Sequence, residues 1–207
     1  MQLRYETGLT SDDYVSRQAW CEATLERCPL HPRGGCGFAR HGTYERMDPL
    51  GARVARWYCP LGSCTFSLLA DCLAARLPGA LAELEAVVAV AEQATSVAAA
   101  ANTVRSDDID LVSAMRWVPR RRNGVHANLL AVKGLMPERF AECPATVAGF
   151  RCRLGTDRAL EALRDIASTH LHALAPPLGF AAPCRGGGER ERWVQQRTGP
   201  DPPHQAR

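Results

Sequence analysis

Two stretches decide how this chain folds: Cys28-Pro-Leu-His-Pro-Arg-Gly-Gly-Cys36-Gly37 and Cys59-Pro-Leu-Gly-Ser-Cys64. Each sets a pair of cysteines in a turn rich in proline and glycine, and a basic, aromatic stretch separates the two turns. Zinc takes four soft or borderline ligands in a tetrahedron, and two thiolates from each of two tight turns supply them without a large core. The metal then drives local folding. Neither spacing is the common Cys-x2-Cys. The second turn has four intervening residues, with Gly62 allowing the backbone to fold back. The first has seven, with Pro32, Gly34 and Gly35 among them and His31 three residues after Cys28. The ligand set expected first is Cys28, Cys36, Cys59 and Cys64, with His31 as the alternative ligand competing with Cys36. One structural Zn2+ is expected.

Working outward, Phe38–Arg46 and Arg53–Cys59 favour strands through Tyr44, Val54, Trp57 and Tyr58, and Met47-Asp-Pro-Leu-Gly51 is a turn signal. The pattern reads as a zinc ribbon, a β-hairpin with two knuckles. Ahead of it, Ser11-Asp-Asp offers an N-cap, and Tyr14, Ala19, Trp20, Ala23 and Leu25 suggest a helix. Behind it, Ser67 caps an expected helix from Leu68 to Leu77, ended by Pro78-Gly79. Leu81, Leu84, Val87, Val88 and Ala91 recur at helical spacing up to Gln93. A short helix over Ser96–Val104 and another over Asp107–Val118, ended by Pro119, complete a helix-turn-helix-like arrangement. Further helices are expected over Val125–Lys133 and from Thr156-Asp157 to Leu174. The fold class is therefore α+β, mostly α, with a small ribbon followed by a helical domain. The expected division is 1–26 as a helical lead-in, 27–67 as the ribbon and 68–135 as the helix-turn-helix-like domain, with 136–175 a C-terminal helical segment and 176–207 a disordered tail.

The chain has 207 residues, few aromatics and a net charge of +3. Arginine supplies all but one of the 25 basic residues, a usage that fits a GC-rich genome. Clusters matter more than the total charge. Arg116, Trp117, Arg120, Arg121 and Arg122 form one cluster with no acid among them. Arg27, Arg33, Arg40, His41, Arg46, Arg53 and Arg56 surround the proposed metal. Nine cysteines with no export signal or apolar span point to a reducing, cytoplasmic setting without a membrane. Cys21, Cys72, Cys143, Cys152 and Cys184 read as isolated thiols. Catalysis finds little support. Asp107, Asp108 and Asp110 suit a helix cap, while Asp157, Glu161 and Asp165 suit a solvated face. Neither set places carboxylates on separate strands to hold two metals. No enzyme is expected.

The residues Cys28-Pro, Cys36-Gly-Phe-Ala-Arg-His-Gly-Thr-Tyr-Glu-Arg46, Arg56-Trp-Tyr-Cys-Pro60 and Cys64-Thr-Phe-Ser67 resemble the zinc-ribbon N-terminal regions of bacterial insertion-sequence transposases and of uncharacterised proteins associated with them. The first knuckle departs from that pattern by an insertion. The resemblance covers about a fifth of the chain closely, and Glu92–Arg122 looks more loosely like the helix-turn-helix that follows such ribbons. What it implies is binding of double-stranded DNA, for instance at transposon ends. Arg40, His41, Arg46, Arg53 and Arg56 on the hairpin, with Arg116, Trp117, Arg120, Arg121 and Arg122 on the helix, are the expected contacts. The implied role is a non-catalytic accessory protein, a regulator or a truncated transposase. A zinc-ribbon module for protein interaction or RNA contact is the alternative, and a homodimer through the helical region is an open option.

Overall fold

In the computed structural model, residues 1–106 and 109–181 are described. Four strands form one sheet, β1 (Gln2–Tyr5), β2 (Ala39–Glu45), β3 (Arg53–Cys59) and β4 (Cys64–Ala70), in the order β1-β4-β3-β2. The expected hairpin is β2 and β3, antiparallel, with a register shift between Arg40 and Thr43. Two further strands extend it. β4 pairs antiparallel with β3, and β1 pairs parallel with β4.

β4 replaces the first half of the helix expected over Leu68–Leu77. Leu68-Leu69-Ala70 has no strong local preference against helix, but as a strand it has a partner on both sides, and Leu68, Leu69 and Ala70 are buried. The N-terminus differs as well. Thr10, not Ser11, caps a short α1 (Ser11–Ser16), and a 3-10 turn at Ala19–Cys21 follows. Tyr14 and Trp20 pack edge to face, with Tyr14 donating to Arg53 O and Tyr5 to Ala19 O, so the lead-in is fastened to the sheet.

The helices are α2 (Leu81–Gln93), α3 (Val97–Val104), α4 (Leu111–Leu135), α5 (Pro137–Phe140), α6 (Val147–Leu154) and α7 (Ala159–Ile166). α2 lies where its periodicity puts it, and α3 falls within the expected Ser96–Val104, with Ser96 serving as its N-cap. The helices expected over Asp107–Val118 and Val125–Lys133 are one continuous α4, with Pro119 inside it. Ala114, Val118, Val125, Leu129 and Val132 are all buried, and burial along a single face outweighs the hydrogen bond that proline removes. The helix start falls at Asp110, whose carboxylate accepts from Ser113 N; the expected cap at Asp107 and Asp108 lies outside the described residues. The long helix expected up to Leu174 is shorter, ending at Ile166 with a 3-10 turn at Ser168–His170.

Two glutamates of α2 organise this layer. Fully buried Glu85 accepts from Arg151 Nε and from the backbone N–H groups of Ala159 and Leu160 at the start of α7. One pair of turns later, Glu92 accepts from Val147 N at the start of α6 and contacts His126 Nε2 at 2.7 Å. Both carboxylates thus satisfy the open donors of another helix and meet its positive end.

Two buried arginines hold the loop that follows β4. Arg46 donates to Asp48 O, Ala74 O and Leu77 O. Arg164 donates to Ala70 O, Asp71 O and Leu73 O, and also to Pro177 O and Leu178 O; burial pulls its guanidinium down to about 10. Pro177, Leu178 and Phe180 are consequently in the core, not in a loose tail; the tail beyond Ala181 lies outside the described residues. One continuous apolar core joins the sheet to α2, the second half of α4, and α5 to α7. A second, small cluster of Ala91, Ala100, Ala101, Ala114 and Val118 joins α2, α3 and the first half of α4.

Candidate metal centre and basic surfaces

Cys28, His31, Cys36 and Cys59 come together, each offering a ligand atom within 4.8 Å of the others. The three cysteines are buried and His31 is half-buried. Their convergence follows from two similar turns, Cys28-Pro-Leu-His31 and Cys59-Pro-Leu-Gly62. In the first, the N–H groups of Leu30 and His31 point at Cys28 Sγ; in the second, Gly62 N donates to Cys59 Sγ at 3.2 Å. A thiolate that accepts backbone N–H bonds is oriented and stabilised as an anion.

His31 Nδ1 lies 3.6 Å from Cys28 Sγ and 3.3 Å from Cys59 Sγ. With metal–sulfur and metal–nitrogen bonds of about 2.3 and 2.0–2.1 Å, a tetrahedral zinc sets nitrogen and sulfur about 3.5 Å apart. The observed pair brackets that value, so the residues present fit a closed three-cysteine, one-histidine zinc site. Burial pushes the Cys28 thiol up, yet hydrogen bonds from His31, from the two backbone N–H groups and from Cys59 outweigh it and hold the group at about 7. Cys59 is pushed up, by burial first and by the neighbouring Cys28 and Cys36 thiols after it. Three thiols this close compete for protons, a conflict that a divalent cation resolves.

Cys64 is outside this group. It opens β4 directly across from Cys59, and its Sγ is 3.8 Å from Thr65 O. The place that a second ligand of the Cys59 turn would take belongs to Gly62, where a Cβ would come 2.7 Å from Leu30 Cδ1 and 3.6 Å from His31 Cε1. The first turn thus supplies three of the four clustered side chains and the second supplies one. His31 joins Cys36 in the cluster instead of replacing it, and Cys64 stands outside it. The Cys-Pro-Leu-His spacing contained this signal. The long insertion before Cys36 lets one turn contribute three side chains to the cluster.

The expected DNA contacts separate into two groups. Arg46 is buried on three carbonyl oxygens, so the expectation that it faces a ligand does not hold. Trp117 is half-buried under Arg121, whose guanidinium lies 4.4 Å from the indole ring centroid and is pulled down in pKa by burial, against Asp48 and Glu83. Arg56 is half-buried over Tyr44, and Arg122 lines a hollow with Ser96, Val97 and Pro119. On the surface remain Arg40, which also holds Trp20 O and Cys21 O, with His41, Arg53, Arg116 and Arg120. Because α4 runs on to Leu135, its arginines lie along the middle of a helix and not at a basic helix end.

No helix among the described residues is long and apolar enough to cross a membrane. No family model, curated protein or solved structure matches this chain.

Proposed function

We propose that this chain is a zinc-stabilised, double-stranded DNA-binding protein of mobile-element type, acting as an accessory protein, a regulator or a truncated transposase without catalysis of its own. The observation that carries the reading is α4. Its 25 residues include no aspartate or glutamate, and Arg116 and Arg120 stand exposed four residues apart on its outer face. A helix of this kind fits a major groove, where arginine makes bidentate contacts to guanine and point contacts to phosphate. Arg40, His41 and Arg53, exposed on the β2–β3 hairpin, are further donors suited to phosphates.

The metal has a scaffolding role in this reading. Cys28, His31, Cys36 and Cys59 would hold Zn2+ with four protein ligands, a closed set that leaves no position for water or substrate. Bound zinc would fix the turn geometry and neutralise the thiolates, while the chain's own residues do the recognition.

A labelled duplex from the ends of the encoding element, titrated with the zinc-loaded chain and compared with a scrambled duplex over a range of salt, tests the proposal. Preference for the end sequence, with a steep loss of affinity as salt rises, is expected. Equal binding of both duplexes at moderate salt removes end recognition, and binding of neither removes DNA. A second reading, a zinc-ribbon module for protein contact, draws on Met47 and Leu50 at the β2–β3 turn, 92% and 85% exposed. It gains if no duplex binds.

A further inference from the structure

The exposed face of α4 is not only basic. Val112, Met115, Arg116, Pro119, Arg120 and Asn123 each stand three or four residues from a member in the next turn, so they form one stripe along the helix. The opposite side, from Ala114 through Val118 and Val125 to Val132, is buried. At the start of the stripe, Leu111, Val112 and Met115 are 37%, 60% and 39% exposed. Three large apolar side chains thus lie open to water within one and a half turns, and they merge directly into the arginines.

We infer that this stripe is a base-reading surface, in which Val112 and Met115, with Leu111 at its margin, pack against thymine C5-methyl groups while Arg116 and Arg120 contact guanine or phosphate. The inference rests on the DNA reading above and goes beyond it by assigning sequence preference to apolar residues. Charge complementarity selects the occupant. Arg116 and Arg120 make no ion pair among the described residues, α4 contains no acid, and Asp110 at its start is engaged with Ser113 N. A second copy of the chain laid on this stripe would bring like charges together while burying the apolar trio. A major groove offers apolar methyl groups, guanine acceptors and phosphates on one surface. Its width of about 12 Å also admits a helix of about 10–12 Å diameter.

The small residues beneath explain how the helix can be presented. Ala100 and Ala101 of α3 pack on Ala114 and Val118 of α4, and short side chains let the two helices approach closely while leaving the outer stripe free.

The test uses the full-length, zinc-loaded chain. A preferred duplex is selected from a randomised pool, and the same duplex is then made with uracil in place of thymine, which removes only the methyl groups. Wild type should bind the uracil duplex more weakly, by roughly fourfold for each methyl that was buried. Met115→Ala and Val112→Ala should reduce that methyl sensitivity. Arg116→Gln should weaken both duplexes alike and keep the sensitivity. All three positions are exposed, and zinc content with circular dichroism verifies that each variant folds. Unchanged wild-type affinity for the uracil duplex, or full methyl sensitivity in both apolar variants, overturns the inference while leaving DNA binding intact. If no duplex is enriched and the chain instead runs as a dimer that Met115→Glu dissociates, the DNA reading and the inference both fall, and the stripe is a contact between copies.

Discussion

Replacing Cys64 by serine should leave the metal in place, whereas replacing His31 by alanine should release it. The contrast can be sized from the geometry. Structural zinc sites bind with about 10–16 kcal/mol at neutral pH, so one of four ligands is worth roughly 2.5–4 kcal/mol, or about 10²–10³-fold in affinity. His31 Nδ1, at 3.3 and 3.6 Å from two sulfurs, holds a full share of that. Cys64 Sγ, in contact with its neighbour Thr65 O, holds none. Competition with a chelator of known zinc affinity reads the difference. Wild type and Cys64→Ser should coincide within about threefold, while His31→Ala and Cys59→Ser should weaken by the full factor. At saturating zinc a hundredfold loss also lowers apparent stability by about 2.7 kcal/mol, visible in urea unfolding with and without metal. The assignment of one ligand to the second turn is refuted if Cys64→Ser loses zinc as Cys59→Ser does while His31→Ala retains it.

Glu85→Ala should cost about 3–5 kcal/mol in urea unfolding, because it strands the Arg151 guanidinium and two buried N–H groups at the start of α7; a loss below 1 kcal/mol would contradict the capping role. Arg53→Gln should lower the slope of log affinity against log salt by about 0.9 with stability unchanged. Arg46→Gln should do the reverse, destabilising by about 2–4 kcal/mol through three unpaired carbonyl groups, and its binding slope should match wild type. In the metal-free chain Cys28, held at about 7, should be alkylated half-maximally near that pH. Because its folded value lies below the roughly 8.5 of an unfolded thiol, the stabilisation it gives is complete above 8.5 and is lost as pH falls through 7. Cys59, shifted upward, acts in the opposite sense only at higher pH. An alkylation midpoint of 8.5 at Cys28 would remove the His31 contact from the account.

The hairpin and α2 are legible because their signals are local: strand-forming residues around a turn and a 3.6-residue period. The meeting of Cys28, Cys36 and Cys59 is legible for the same reason, whereas the clustering of His31 in place of Cys64 is not. That exchange depends on where two turns meet in space, which spacing alone does not fix. β4 was misread because its identity comes from partners elsewhere in the chain, with β1 contributing from 65 residues away at the Gln2–Ser67 pair. Pro119 misled in a different way, since a proline ends most helices but is tolerated where the flanking residues share a strongly buried face. Glu85 and Glu92 look in sequence like interruptions of an apolar helix, and only the tertiary fold reveals that they cap α7 and α6. Arg46 carries no mark in sequence that sets it apart from Arg53.

Arg46 and Arg164 grip the 70–78 loop from two sides, one reaching it from the end of β2 and the other from α7. Arg164 thus ties α7 to the end of β4, the loop after it and the Pro177–Leu178 segment by five guanidinium hydrogen bonds to backbone oxygen, and Arg46 ties the end of β2 to the same loop by two. Cooperativity is the consequence: the chain should melt in a single calorimetric transition, with no separate step for the sheet. A chelator that strips zinc from the Cys28–His31–Cys36–Cys59 group should then lower the midpoint for the helices along with that of the sheet, as expected if a metal held there steadies a surface it never touches.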